Sequence, residues 1–71
     1  MMGTTFKIKN PDKFVEKIAL RGDTLRSFSR RTGISETAFN KYINQSGRLR
    51  PTTAKKIADE LHEKIDDIFL L

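Results

Sequence analysis

The chain has no cysteine, a single histidine, no glycine-rich phosphate loop, and no apolar run longer than Ile68-Phe69-Leu70-Leu71. Without cysteine there can be neither a disulfide framework nor a thiolate zinc site, so stability must come from packing. A four-residue apolar run falls far short of the roughly 18 residues that suggest a membrane span. The N-terminus has no signal-peptide core, and a cytoplasmic protein with no membrane contact is expected. Catalysis would need a nucleophile with its base, or paired acids in a cleft. The only histidine, His62, falls near a predicted helix end, where a surface or capping role is expected, and no enzyme is predicted. The carboxylates Asp59, Glu60, Glu63, Asp66 and Asp67 are interleaved with Lys55, Lys56 and Lys64, the pattern of helical i,i+4 ion pairing rather than of a metal site. Neither a metal nor a cofactor is expected, and the sequence shows no internal repeat or low-complexity segment.

What the chain does contain is enough for one domain. Seventy-one residues bury only about 60% of the unfolded surface and cannot divide that core in two. A composition 37% hydrophobic and 32% charged suits a folded, surface-rich module rather than a disordered tail. The formal net charge of +5 is unevenly spread: residues 1–50 hold eleven Lys or Arg against four Asp or Glu, and residues 51–71 hold three against five. The basic excess therefore sits in the first two-thirds, where it could neutralise a phosphate backbone.

Residues 1–10 lack helical periodicity. Phe6 and Ile8 alternate with Lys7 and Lys9 as in an extended arm, so the chain is expected to divide into an arm (1–10) and a helical domain (11–71). Asn10-Pro11 is a helix-start signal, Phe14, Val15, Ile18 and Ala19 share one face of the helix that follows, and Gly22 ends it. Thr24 opens a second helix that turns Leu25, Phe28 and Ser29 inward and stops near Gly33. Ser35 caps a third helix in which Ala38, Phe39, Tyr42 and Ile43 recur at helical spacing. Asn44-Gln45-Ser46-Gly47 reads as a loop. Pro51 starts a fourth helix with Ala54, Ile57, Ala58 and Leu61 inside, and Ile65, Ile68 and Phe69 supply a short fifth helix or turn. The predicted core is Phe14, Ile18, Phe28, Ile34, Phe39, Ile57 and Leu61, and the fold class is all-α with four or five helices.

The second and third helices, joined by a short turn containing Gly33, have the arrangement of a helix-turn-helix. Ser29 is small where the two helices would cross closely. Gly33 stands where the turn calls for a positive φ. Phe28, Ile34, Phe39 and Tyr42 are spaced to lock the pair together. The remaining face of the third helix is polar, with Glu36, Thr37, Asn40, Lys41 and Asn44 offering the donors and acceptors that reading base edges requires.

At these residues the chain resembles the lambda-repressor-like family of Cro and CI regulators, the xenobiotic-response-element type. Residues 24–43 are similar to the family's second and third helices. Pro51, the Ile57-Ala58-Asp59-Glu60-Leu61 run and Lys64-Ile65-Asp66-Asp67-Ile68-Phe69 extend the likeness over about residues 12–69. The chain departs from the family at Leu25, where Gln is common, at the Asn44–Gly47 loop, at Ser29 in place of Ala, and at His62 in place of Gly. The resemblance implies a sequence-specific DNA-binding transcriptional regulator, repressor or Cro-like, whose recognition helix at about residues 35–44 enters the major groove. It implies that Glu36, Thr37, Lys41 and Asn40 read bases, and that Arg26, Ser27, Ser35, Asn44, Arg48 and Arg50 hold phosphates. It further implies double-stranded DNA as partner, a nucleoid-associated location in the cytoplasm, and a dimer on two half-sites. A second reading stays open at this point: a modulator or antirepressor of the same fold that binds another repressor protein. Leu25, the unusual loop, the acidic last third and the apolar end Phe69, Leu70 and Leu71 leave room for it, and that end is the expected contact for a homodimer or a repressor partner.

Overall fold

The computed structural model describes residues 4–71. Five helices make up most of it: α1 (Pro11–Leu20), α2 (Leu25–Thr32), α3 (Glu36–Ile43), α4 (Pro51–Glu60) and the short α5 (Ile65–Ile68). Two short strands, β1 (Lys7–Ile8) and β2 (Phe69–Leu70), pair antiparallel, with Lys7 opposite Leu70 and Ile8 opposite Phe69. No helix of the described residues is long and apolar enough to cross a membrane.

Local chemistry sets the helix limits where the sequence places them. The Asn10 side chain accepts from the Lys13 N–H at 3.2 Å, and Pro11 fills the first helical position, where a missing N–H costs nothing. Thr24 and Ser27 form a reciprocal cap on α2: the Ser27 N–H donates to Thr24 Oγ1 at 3.1 Å and the Thr24 N–H to Ser27 Oγ at 2.9 Å. Ser35 Oγ accepts from the Ala38 N–H at 3.1 Å and caps α3. Pro51 opens α4 without a side-chain cap. At the far end of α4, His62 takes a left-handed φ of 57°, which lets the Glu63 N–H reach the Ala58 carbonyl at 2.9 Å.

The core is built around aromatic rings. Phe14, Phe28, Phe39 and Phe69 are fully buried together with Ile8, Leu49 and Ile57. Phe39, on α3, is the hub, 5.5 Å from Phe28 on α2, 6.2 Å from Phe14 on α1 and 6.3 Å from Tyr42 between ring centroids. Phe69 continues the series, 6.4 Å from both Phe14 and Phe6. Such tilted and edge-on pairs suit the ring quadrupoles. The buried side of α3 is therefore held by α1 and α2 at once, and this fixes which residues of α3 face outward.

Three expectations need correction. The extended segment does not stand apart as an arm. It is part of the domain, with Ile8 fully buried and Phe6 packed on the core, because strand alternation turns these two residues inward while β2 and Leu49 supply backbone partners. Residues 1–3 of that segment lie outside the described residues. On α1, Phe14 and Ile18 are buried but Val15 is 45% exposed and Ala19 is exposed as well, since the helix meets the core along one narrow i,i+4 stripe. Ile34 is half-buried against the core rather than inside it.

Candidate nucleic-acid interface

The joint between α2 and α3 is closed by backbone geometry and two hydroxyls. Gly33 lies at φ 77° and its N–H donates to the Ser29 carbonyl at 2.9 Å, ending α2 in a left-handed turn. A Cβ at Gly33 would meet nothing within 4 Å, so the turn needs glycine for its backbone conformation and not for space. Ser29 Oγ donates to the Ile34 carbonyl, and Thr32 Oγ1 donates to the Phe28 carbonyl at 2.9 Å. A small hydroxyl at position 29 thus lets the helices approach and ties the turn to α2.

A buried carboxylate anchors the start of α2. The Asp23 side chain is only 5% exposed, and its Oδ1 accepts from Ser27 Oγ and from Arg31 Nη2, each at 2.9 Å. Arg31 also reaches Glu60 on α4 at 3.6 Å. Arg31 is therefore engaged in holding α2 to α4, and Asp23 Oδ2 has no hydrogen-bond partner among the described residues.

Along α3, Glu36, Thr37, Asn40 and Lys41 are exposed, and the cap residue Asn44 continues the same face. Their spacing of i, i+1, i+4, i+5 and i+8 gathers them into one polar stripe opposite Phe39. An α-helix of about 10–12 Å diameter with such a stripe matches a major groove about 12 Å wide. Glu36 is not isolated: Arg26 Nε lies 3.6 Å from its Oε1, joining the starts of α2 and α3, with both side chains well exposed at 72% and 47%. An exposed pair of this kind is worth about 0–1 kcal/mol, so it orients more than it stabilises. The remaining guanidinium nitrogens of Arg26 have no other partner among the described residues.

The residues expected at phosphates divide into two groups. Arg50 is exposed at the start of α4 and makes no side-chain hydrogen bond among the described residues. The hydroxyls of Ser27 and Ser35 are already used as helix caps. Arg48 donates through Nε to Thr5 Oγ1 at 2.8 Å and through Nη2 to the Thr5 carbonyl at 3.2 Å, which ties it to the extended segment.

The loop after α3 contains features that the sequence pattern did not single out. The Ser46 and Gly47 N–H groups both donate to the Lys41 carbonyl, at 2.9 and 3.2 Å, folding the loop back under α3. A Cβ at Gly47 would lie 3.3 Å from Lys41 Cβ, so the loop packs directly beneath a candidate base-reading residue. Gln45 adopts φ 60° and its amide donates to the Ile8 carbonyl at 2.9 Å. Leu49, fully buried, exchanges two backbone hydrogen bonds with Phe6, each 2.8 Å. The buried Leu49 could have been suspected from an apolar residue between two arginines. Nothing in the sequence pairs Gln45 with Ile8.

No group of three or more His, Asp or Glu side chains among the described residues is placed to hold a metal ion. In comparison with known families, a model described as a Cro/C1-type HTH DNA-binding domain matches residues 15–71. Neither a curated protein nor a solved structure matches the chain significantly.

Proposed function

The chain belongs to the Cro/C1-type helix-turn-helix DNA-binding family, a family of DNA-binding regulators, and from that premise we propose that it is a sequence-specific transcriptional repressor or Cro-like regulator whose α3 reads the major groove. The observation that carries this reading is the polar stripe Glu36, Thr37, Asn40, Lys41 and Asn44, exposed along α3 while Phe39 locks the opposite side into the core. Lys41 would donate to guanine O6 or N7, Glu36 would accept from cytosine N4, and Thr37 and Asn40 would complete the contact. Phosphates would be held by Arg50, by the free guanidinium nitrogens of Arg26, and by Asn44 and the N-terminal turns of α2 and α3 around Ser27 and Ser35, where helix dipoles favour anions. Arg48 would add the one terminal nitrogen that Thr5 leaves free.

One recognition helix buries little area, so binding would use two copies on half-sites about one DNA turn apart. Leu70, 37% exposed, and Leu71 would contribute to the contact between copies, whereas Phe69 is consumed by the core. Such a regulator would work in the cytoplasm on the nucleoid and would carry out no chemistry.

The test contrasts reading with holding. On a duplex selected from a random pool, Lys41→Ala should cost about 1–3 kcal/mol and relax preference at one base pair. Arg50→Ala should weaken all duplexes alike and reduce the salt slope by about one unit. Equal, sequence-blind losses from both would remove base reading from α3. No loss from either would point to protein docking by the same face.

A further inference from the structure

We infer that Gln45 is a positioning residue for DNA binding: it fastens the loop that follows the recognition helix to the extended segment, and so sets where Asn44 and Arg50 stand without itself touching DNA. The inference rests on the DNA-binding reading above. Five hydrogen bonds join the loop to the segment. The Gln45 amide donates to the Ile8 carbonyl at 2.9 Å, Arg48 grips Thr5 twice, and Phe6 and Leu49 exchange backbone hydrogen bonds. The segment is itself fixed on its other side by β2 and by the Lys9 N–H, which donates to the Ile68 carbonyl at 2.8 Å. A strand clamped in this way is a firm anchor for the loop.

Gln45 differs from the other members of this set in the backbone it requires. At φ 60° it occupies the left-handed region, which a non-glycine residue takes at a cost. The local turn would be served better by glycine or asparagine. What a glutamine adds is an amide on a stem long enough to reach Ile8, across 37 residues of sequence. The loop it fastens folds under Lys41 through the Ser46 and Gly47 N–H groups and leads within a few residues to Arg50. A slack loop would let the α3 end and the α4 start move relative to each other, and contacts from both would no longer be made in one geometry.

Two variants test this in the full chain. Gln45→Gly keeps the left-handed backbone and removes the amide, and Gln45→Asn keeps an amide that is too short to reach. Binding is measured on the selected duplex and on its single-base variants, over a range of salt concentrations, at a temperature where circular dichroism shows each protein fully folded. The expected result for both is a two- to tenfold loss of affinity, about the worth of one hydrogen bond, with base preference unchanged and a salt slope the same or up to about one unit smaller, because Gln45 carries no charge and any change in slope comes from a displaced Arg50. Unchanged affinity would overturn the inference. Altered preference at one base pair would also overturn it, making Gln45 a base contact. A parent protein that enriches no duplex would overturn both this inference and the DNA-binding reading, whereas harmless Gln45 variants of a parent that does bind overturn this inference alone.

Discussion

Replacing Phe39 with alanine tests how α3 is held. The side chain is fully buried and is in ring contact with Phe14, Phe28 and Tyr42, which come from α1, α2 and α3 itself. Truncating a buried Phe costs about 3–5 kcal/mol in lost transfer energy and residual cavity. The upper half of that range applies here, because three ring partners are lost together and pairs of this kind add about 0.5–1.5 kcal/mol beyond area. Small domains have a total stability of about 5–15 kcal/mol, and one this size belongs near the low end, so Phe39→Ala should leave a marginal or unfolded protein. Phe39→Leu, which keeps most of the volume, should lose about half as much. Urea titration followed by far-UV circular dichroism measures both, and the midpoint should fall with little change in slope. A loss below about 1 kcal/mol for Phe39→Ala would mean that α3 is not anchored through this ring, and the account of its outward face would fall with it.

Gly33→Ala meets no atom within 4 Å, so its cost is conformational only: about 1–2 kcal/mol for the left-handed backbone, less the roughly 0.5–1 kcal/mol returned by a less flexible unfolded chain. The net of about 0.5–1 kcal/mol should lower the thermal midpoint by about 2–8 °C, and a rise would contradict the positive φ. His62→Gly should do the reverse, since His62 is exposed, sits at φ 57° and makes no side-chain hydrogen bond among the described residues; a gain of about 0.5–1 kcal/mol in urea titration is expected, and a loss would show that the ring contributes something. With Lys17 and Arg31 engaged inside the domain and Lys41 assigned to bases, the cations left for phosphate near α2 and the start of α4 are Arg26, Arg30, Arg50 and the free nitrogen of Arg48. The log–log salt dependence of DNA binding should therefore be about −3 to −4 per protomer, and a much steeper value would mean that another surface also meets phosphate.

The helices were legible because their signals are local. Asn10-Pro11, Thr24, Ser35 and Pro51 each mark a helix start, and at the first three the side chain accepts the N–H bond that its residue type implies. The core stripe of α3 was legible for the same reason, as was Gly33. The two strands were not. Each has two residues, too few for alternation to register as a pattern, and their pairing joins positions about sixty residues apart in the chain. Phe6 and Ile8 do alternate with lysines, but alternation shows only that a segment is extended and not whether it lies free or against a core. At the chain end, the apolar run showed neither that Phe69 enters the core nor that Leu70 pairs through its backbone with Lys7 from the other end.

Within the candidate interface, the sequence marked the recognition helix but could not sort the arginines. Arg26, Arg31, Arg48 and Arg50 carry the same group at comparable distances from the motif, and by composition each is an equally good phosphate contact. Their partners separate them. Arg31 is taken up by Asp23 and Glu60, Arg48 by Thr5, and Arg26 in part by Glu36, while Arg50 has no partner among the described residues. Two of these partners, Thr5 and Glu60, lie outside the helix-turn-helix, so no inspection of the motif alone would find them. The buried Asp23 shows why the distinction matters to the fold. A carboxylate with a side chain 5% exposed is buried at low cost only when cations and hydroxyls meet it, and Arg31 is held to that duty. The basic excess of the first fifty residues therefore has two functions, part of it closing the domain and part of it facing outward, and only long-range packing decides which residue does which.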